Sequence, residues 1–87
     1  MYRQVEHVEW QQFDDESILL NVETGIYFRL NEVGSFIWPL LDGRHSESEI
    51  IAAVLDSFQI DEKSARRDFR EFVQRLEKEG LLRQTGS

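Results

Sequence analysis

The spacing of apolar residues changes once along this chain, at Asn31, and that change limits what it can fold into. Up to Leu30 apolar residues tend to recur at every second position, the period of a strand; beyond Asn31 they recur at three and four, the period of a helix. From Val5 to Phe13 the alternation is rough, with Val8 and Trp10 two apart, and it indicates a first strand. Asp14-Asp15-Glu16 is a polar turn, after which Ile18, Leu20 and Val22 share one face of a second strand. Glu23-Thr24-Gly25 forms a short loop in which Gly25 supplies a positive φ, and Ile26, Phe28 and Leu30 share one side of a third strand. Tyr27 and Arg29 point away from that side.

The second part of the chain reads as three helices. Asn31 is a favourable N-cap for a helix carrying Val33, Phe36, Ile37, Leu40 and Leu41, which Pro39 bends or ends. Ser46 and Glu49 form a capping box for a second helix through Ile50, Ile51, Val54, Leu55 and Phe58. Asp61 caps a third helix from about Glu62 to Glu79, and Gly80 stops it. Leu81 and Leu82 then pack back or add a short extended tail. The expected fold is α+β: a winged helix-turn-helix-like domain with a three-stranded antiparallel sheet followed by three helices. With 87 residues, no internal repeat and no linker, residues 1–87 are expected to form a single domain.

Composition removes most chemical classes. There is no cysteine, which excludes disulfides, thiolate nucleophiles and Cys-based zinc sites. The two histidines, His7 and His45, lie in different segments with no carboxylate at ligand spacing; each reads as a surface residue, and no metal or other cofactor is expected. The glycines are scattered as turn residues and make no phosphate loop. No serine has a recognisable base partner, and Ser46 is explained as a cap. The sequence therefore indicates a protein that is not an enzyme. It has no apolar run long enough to span a bilayer and no signal-peptide core, so a cytoplasmic protein with no membrane partner is expected. The net charge of −7 opposes general nucleic-acid binding.

Two features remain. On the third helix, at about 100° per residue, Ala65, Phe69, Phe72, Val73 and Leu76 cover one arc, while Lys63, Arg66, Arg67, Arg70 and Lys78 cluster roughly opposite. That basic arc reads equally as a solvated face with i,i+4 ion pairs such as Arg67–Glu71, or as an anion-recognising surface. Arg66 and Val73 lie where the two arcs meet. The second feature is the third strand. In a sheet built from a hairpin plus a preceding strand, Ile26–Leu30 lies at an edge, and a free edge can accept an extended peptide.

The segment from Tyr27 to Leu82 resembles the PqqD-like family, also called RiPP recognition elements, which act on ribosomally made, post-translationally modified peptides. The resemblance is carried by Phe28-Arg29-Leu30-Asn31, then Gly34, Ile37-Trp38, Leu40-Leu41-Asp42-Gly43, Ser46 with Glu49-Ile50, and finally Phe72, Leu76, Gly80, Leu81 and Leu82. Pro39 is a local departure from the pattern. The resemblance implies that the leader segment of a precursor peptide adds as an antiparallel strand to the third strand, in the cleft between it and the third helix. It places the site on Ile26, Tyr27, Phe28, Arg29 and Leu30 of the strand and on Arg66, Phe69, Arg70 and Val73 of the helix. The arginines would meet acidic leader side chains, and Phe69 and Val73 would receive an apolar anchor, although Phe28 and Phe69 also read as core. The implied partners are a precursor peptide and a separate processing enzyme. That enzyme is a leader peptidase in the lasso type, which this short acidic chain looks more like, or a radical-SAM enzyme in the cofactor-biosynthesis type. The competing reading is a winged helix-turn-helix DNA-binding protein.

Overall fold

The computed structural model describes residues 1–85. Five strands and three helices follow in the order β1 Tyr2–Gln4, β2 Val8–Phe13, β3 Glu16–Asn21, β4 Ile26–Leu30, α1 Glu32–Ile37, α2 Glu47–Ser57, α3 Glu62–Lys78 and β5 Leu82–Gln84. The three-stranded antiparallel sheet has the order β2-β3-β4, so β2 and β4 are its edges. Its two hairpins are set by local chemistry. Phe13 pairs with Glu16, which leaves a two-residue loop with Asp14 at φ 55°, a conformation that a short polar side chain tolerates. At the β3–β4 loop the Asn21 side-chain oxygen accepts from the backbone N–H groups of Glu23 and Thr24 at 3.0 and 3.3 Å, and Gly25 takes φ 75°.

The expected first strand is shorter than Val5–Phe13, and a second, unexpected strand precedes it. β1 pairs antiparallel with β5, joining the start of the chain to its last described residues, and Arg3 bridges to Asp42 on the other side. The Leu81-Leu82 segment thus does both things its sequence allows: Leu82 opens a strand and both leucines are buried. His7 lies in the connection between β1 and β2 rather than facing solvent from a strand. Its Nε2 sits 3.1 Å from the carbonyl oxygen of Gly80, tying this connection to the end of α3.

The helix boundaries follow their caps. The Asn31 side chain accepts from the N–H of Gly34 at 2.9 Å, and the Asp61 side chain from that of Ser64 at 3.1 Å. At α2 the capping box is complete, with Ser46 Oγ accepting from the Glu49 N–H and the Glu49 carboxylate accepting from the Ser46 N–H. α1 ends at Ile37, and Trp38–Leu40 tightens into a 3-10 turn with Pro39 in it, as a missing backbone donor requires. Gly80 ends α3 at φ 75°.

One apolar core lies between the sheet and the helices. Leu19 and Leu30 come from the sheet, Ile37, Trp38 and Leu41 from α1 and the turn after it, Ile50, Ile51 and Val54 from α2, and Ala65, Phe69, Val73 and Leu76 from α3. The face of β3 that meets this core is Ser17-Leu19-Asn21; Ile18 and Leu20 look outward. The more apolar pair of β3, Ile18 and Leu20, is thus the one turned away from the core.

Candidate functional site

The third strand of the sheet, β4, has a free edge, and Arg75 of α3 reaches it. Its inward residues Ile26, Phe28 and Leu30 pair with Asn21, Leu19 and Ser17, and its outward residues Tyr27 and Arg29 pair with Leu20 and Ile18. Leu30 is buried and Phe28 half-buried, while Ile26, Tyr27 and Arg29 are exposed. The Arg75 guanidinium lies over the Phe28 ring at 5.8 Å, so this arginine spans the mouth of the cleft between β4 and α3.

Phe72 and Gly34 close the inner end of that cleft. A Cβ on Gly34 would stand 3.2 Å from Phe72 Cε1 and 3.3 Å from the capping oxygen of Asn31, so glycine here lets α1 approach α3 closely. A pocket of about 310 Å³ opens between α1 and α3, with an apolar floor that includes Val33, Ile37, Phe69 and Phe72 and a polar rim that includes Asn31, Asp68 and Arg75; no β4 residue lines it, and Arg75 is what joins it to the strand. An apolar pocket beside an open strand edge can hold an extended peptide by its backbone and one of its side chains.

Of the helix residues expected in the site, Phe69 alone lines this pocket, from its floor, and Arg66, Arg70 and Val73 do not. Phe69 and Val73 are each 1% exposed and belong to the core, where the edge of Tyr2 meets the Phe69 ring at 6.0 Å. Arg66 and Arg70 lie on the other flank of α3, against the first turn of α2, where each reaches the Glu47 carboxylate at 3.6 Å. The flank that faces β4 and α1 carries Asp68, Phe72 and Arg75 instead. Phe72 was legible as part of the apolar arc; Arg75 was not singled out by the sequence at all.

Three of the five residues of the basic arc, Arg66, Arg67 and Arg70, have carboxylate neighbours. Arg66 also meets Glu62 at 3.0 Å, and Arg67 reaches Asp68 at 3.6 Å rather than the expected Glu71. The groups with shifted acidity all sit at caps and turns. Hydrogen bonding to His45 holds the Asp42 carboxyl below its usual range, and the same contact, 2.9 Å long, raises His45. Hydrogen bonds from the Ser46 backbone and side chain lower Glu49, and those from the Ser64 side chain and then its backbone lower Asp61. None of these groups borders the cleft. Among the described residues no cluster of three His, Asp or Glu side chains could hold a metal ion, and no helix is long and apolar enough to cross a membrane.

On its other side the sheet is uncovered. Phe13, Ile18, Leu20 and Tyr27 line a shallow hollow there, with Glu9 and Gln11 at its border, and Phe13 and Tyr27 are 51% and 68% exposed.

Residues 16–82 match the family described as Coenzyme PQQ synthesis protein D (PqqD). This chain belongs to the PqqD family. Among solved structures it is similar to TbiB1 in complex with the TbiA(beta) leader peptide, at 34% identity and a TM-score of 0.86, over 98% of this chain and 99% of that one. It is also similar to a lasso peptide synthetase B1 complexed with the leader peptide, at 23% identity and a TM-score of 0.84, over 95% and 98% of the two chains; at that identity the likeness shows the fold. A search of curated proteins finds no match. The α+β architecture of a PqqD-like RiPP recognition element is therefore common to all three chains.

Proposed function

We propose that this chain is a non-catalytic adaptor that binds the leader segment of a ribosomally made precursor peptide and delivers it to a separate processing enzyme in the cytoplasm. Residues 1–87 act as one binding unit. The observation that carries this reading is the free edge of β4, with Arg75 of α3 reaching the half-buried Phe28 on it and an apolar pocket opening next to that arginine at Phe72. The leader adds to β4 as a further antiparallel strand. Backbone hydrogen bonds along Ile26–Leu30 set its register, and the apolar pocket takes one of its side chains. Phe69 and Val73 support the cleft from beneath, while Phe72 and Arg75 line it. A relative at 34% identity solved with a leader peptide bound supports the same choice of ligand.

The processing enzyme, a leader peptidase of the lasso type, takes the uncovered outer face of the sheet. Exposed apolar patches on small proteins mark contact surfaces. A leader strand added to β4 would extend this face, so the enzyme could meet adaptor and leader together. Phe13→Lys, on the far edge strand of that face, should therefore leave leader affinity unchanged and weaken leader cleavage by the enzyme.

The DNA-binding reading loses its main support, because the arginines of the α3 basic arc have carboxylates beside them. Fluorescence anisotropy with a labelled leader peptide, and a random duplex DNA as control, tests the two against each other. Saturable leader binding without DNA binding is expected. DNA binding that falls steeply with salt, with no leader binding, would replace the adaptor reading with the other.

A further inference from the structure

Arg75 is the cation at the mouth of the cleft, and no carboxylate among the described residues lies within ion-pair distance of it. Arg29, Arg66, Arg67, Arg70 and Arg83 all have such a partner. A partner for Arg75 is available in sequence: Glu71 stands four residues earlier on the same helix, the favourable order for a Glu–Arg pair. The guanidinium instead reaches across toward β4 and rests on the Phe28 ring. A guanidinium can hold a ring against its planar face and still present N–H donors at its edge, which an ammonium group cannot.

The strand geometry defines what would come to that edge. On β4, Ile26, Phe28 and Leu30 face the helix side. A strand added to the free edge continues the same pleat, so its alternate side chains also face α3, about 7 Å apart. The one opposite Phe28 arrives beneath the Arg75 guanidinium. We propose that Arg75 is a specificity-determining residue that reads a carboxylate side chain of the bound peptide at that position, through a charge-assisted and preferably bidentate hydrogen bond. This rests on the leader-binding reading and deepens it: the preferred ligand is an extended peptide with an acidic residue one strand-pair away from its apolar anchor.

The test is an acidic scan read by anisotropy. The probe is a fluorescein-labelled synthetic peptide with the sequence of the cognate precursor's leader, made with Glu and separately with Gln at each position in turn. Each peptide is titrated with the wild-type chain, Arg75→Gln and Arg75→Lys. One position should favour Glu over Gln by about tenfold with wild type, and Arg75→Gln should abolish that preference. Arg75→Lys should retain only part of it. Because Arg75 is exposed, all three proteins should give the same circular dichroism spectrum. The proposal is overturned if no position prefers Glu, or if the preference survives unchanged in Arg75→Gln. If the unmodified peptide binds wild type saturably and either of these results follows, only the Arg75 assignment falls. If no peptide binds at all, the leader-binding reading falls with it.

Discussion

Phe69 offers a sharp test, because the sequence allows it two roles that respond differently to truncation. As a ligand anchor it would contribute to affinity; as a core residue it contributes to stability. The structure puts its ring at 1% exposure between Tyr2 and the interior. Cutting a buried phenylalanine to alanine costs about 3–5 kcal/mol, from lost burial and the cavity left behind. A chain of 87 residues has roughly 4–13 kcal/mol of total stability, so Phe69→Ala consumes a large part of it. At about 4–8 °C per kcal/mol for this size, the melting temperature should fall by roughly 12–40 °C. Phe69→Leu keeps most of the volume and should cost roughly 1–2 kcal/mol. It is the more useful variant, because it stays folded at low temperature. The measurement is a thermal melt by circular dichroism, followed by leader titration at a temperature where both proteins are folded. A lowered melting temperature with at most a small loss of leader affinity is expected, because the ring lies in the floor of the pocket but belongs to the core. A Phe69→Leu variant that melts like wild type yet binds the leader tenfold more weakly would refute the core assignment and return the ring to the site.

Three further outcomes follow from the same geometry. Arg70→Glu faces Glu47 with a like charge on an exposed flank remote from β4; it should cost at most about 1 kcal/mol of stability and change leader affinity less than about twofold, and a larger loss by anisotropy would bring the α2 flank into the site. Asn31→Ala removes the cap of the helix that begins where β4 ends, so it should cost about 1 kcal/mol and lower the melting temperature by about 4–8 °C; no change would mean the cap bond at Gly34 is not formed in solution. The Asp42–His45 contact should make stability depend on pH in a definite direction. His45 is raised above 6.5, so its contribution is present below that value and lost as pH rises through the raised pKa. Asp42 is lowered below 3.8, so its contribution is present above that value and lost as pH falls through the lowered pKa. The stability difference between wild type and His45→Gln should thus be largest near about pH 5 and shrink on either side, and a difference independent of pH from 3 to 9 would exclude the ion pair.

What could be read in advance is the chemistry that acts locally. Asn31, Ser46, Asp61 and Gly80 mark helix ends because each satisfies or terminates backbone groups within a few residues, and all four do so in the structure. The β1–β5 pair could not be read this way. Its strands have three residues each and stand nearly the whole chain apart, so neither has a period long enough to detect.

The side of α3 that carries Phe72 and Arg75 is a different case, because a signal was present. Ala65, Phe69, Val73 and Leu76 define the direction of the core but favour neither flank. Phe72 breaks that balance: it extends the apolar arc away from Arg66 and Arg70. A large aromatic residue placed off the centre of an apolar arc must be covered on that side, here by α1 at Gly34. Because α1 starts directly after β4, the flank that carries Phe72 is also the flank that meets β4. Arg75, one turn further on the same side, is then at the cleft by helical geometry alone. The outer face of the sheet carries the same kind of signal. In a strand covered on one side only, the apolar pair Ile18 and Leu20 has no core to enter, and with Phe13 and Tyr27 it leaves an apolar hollow on the uncovered side.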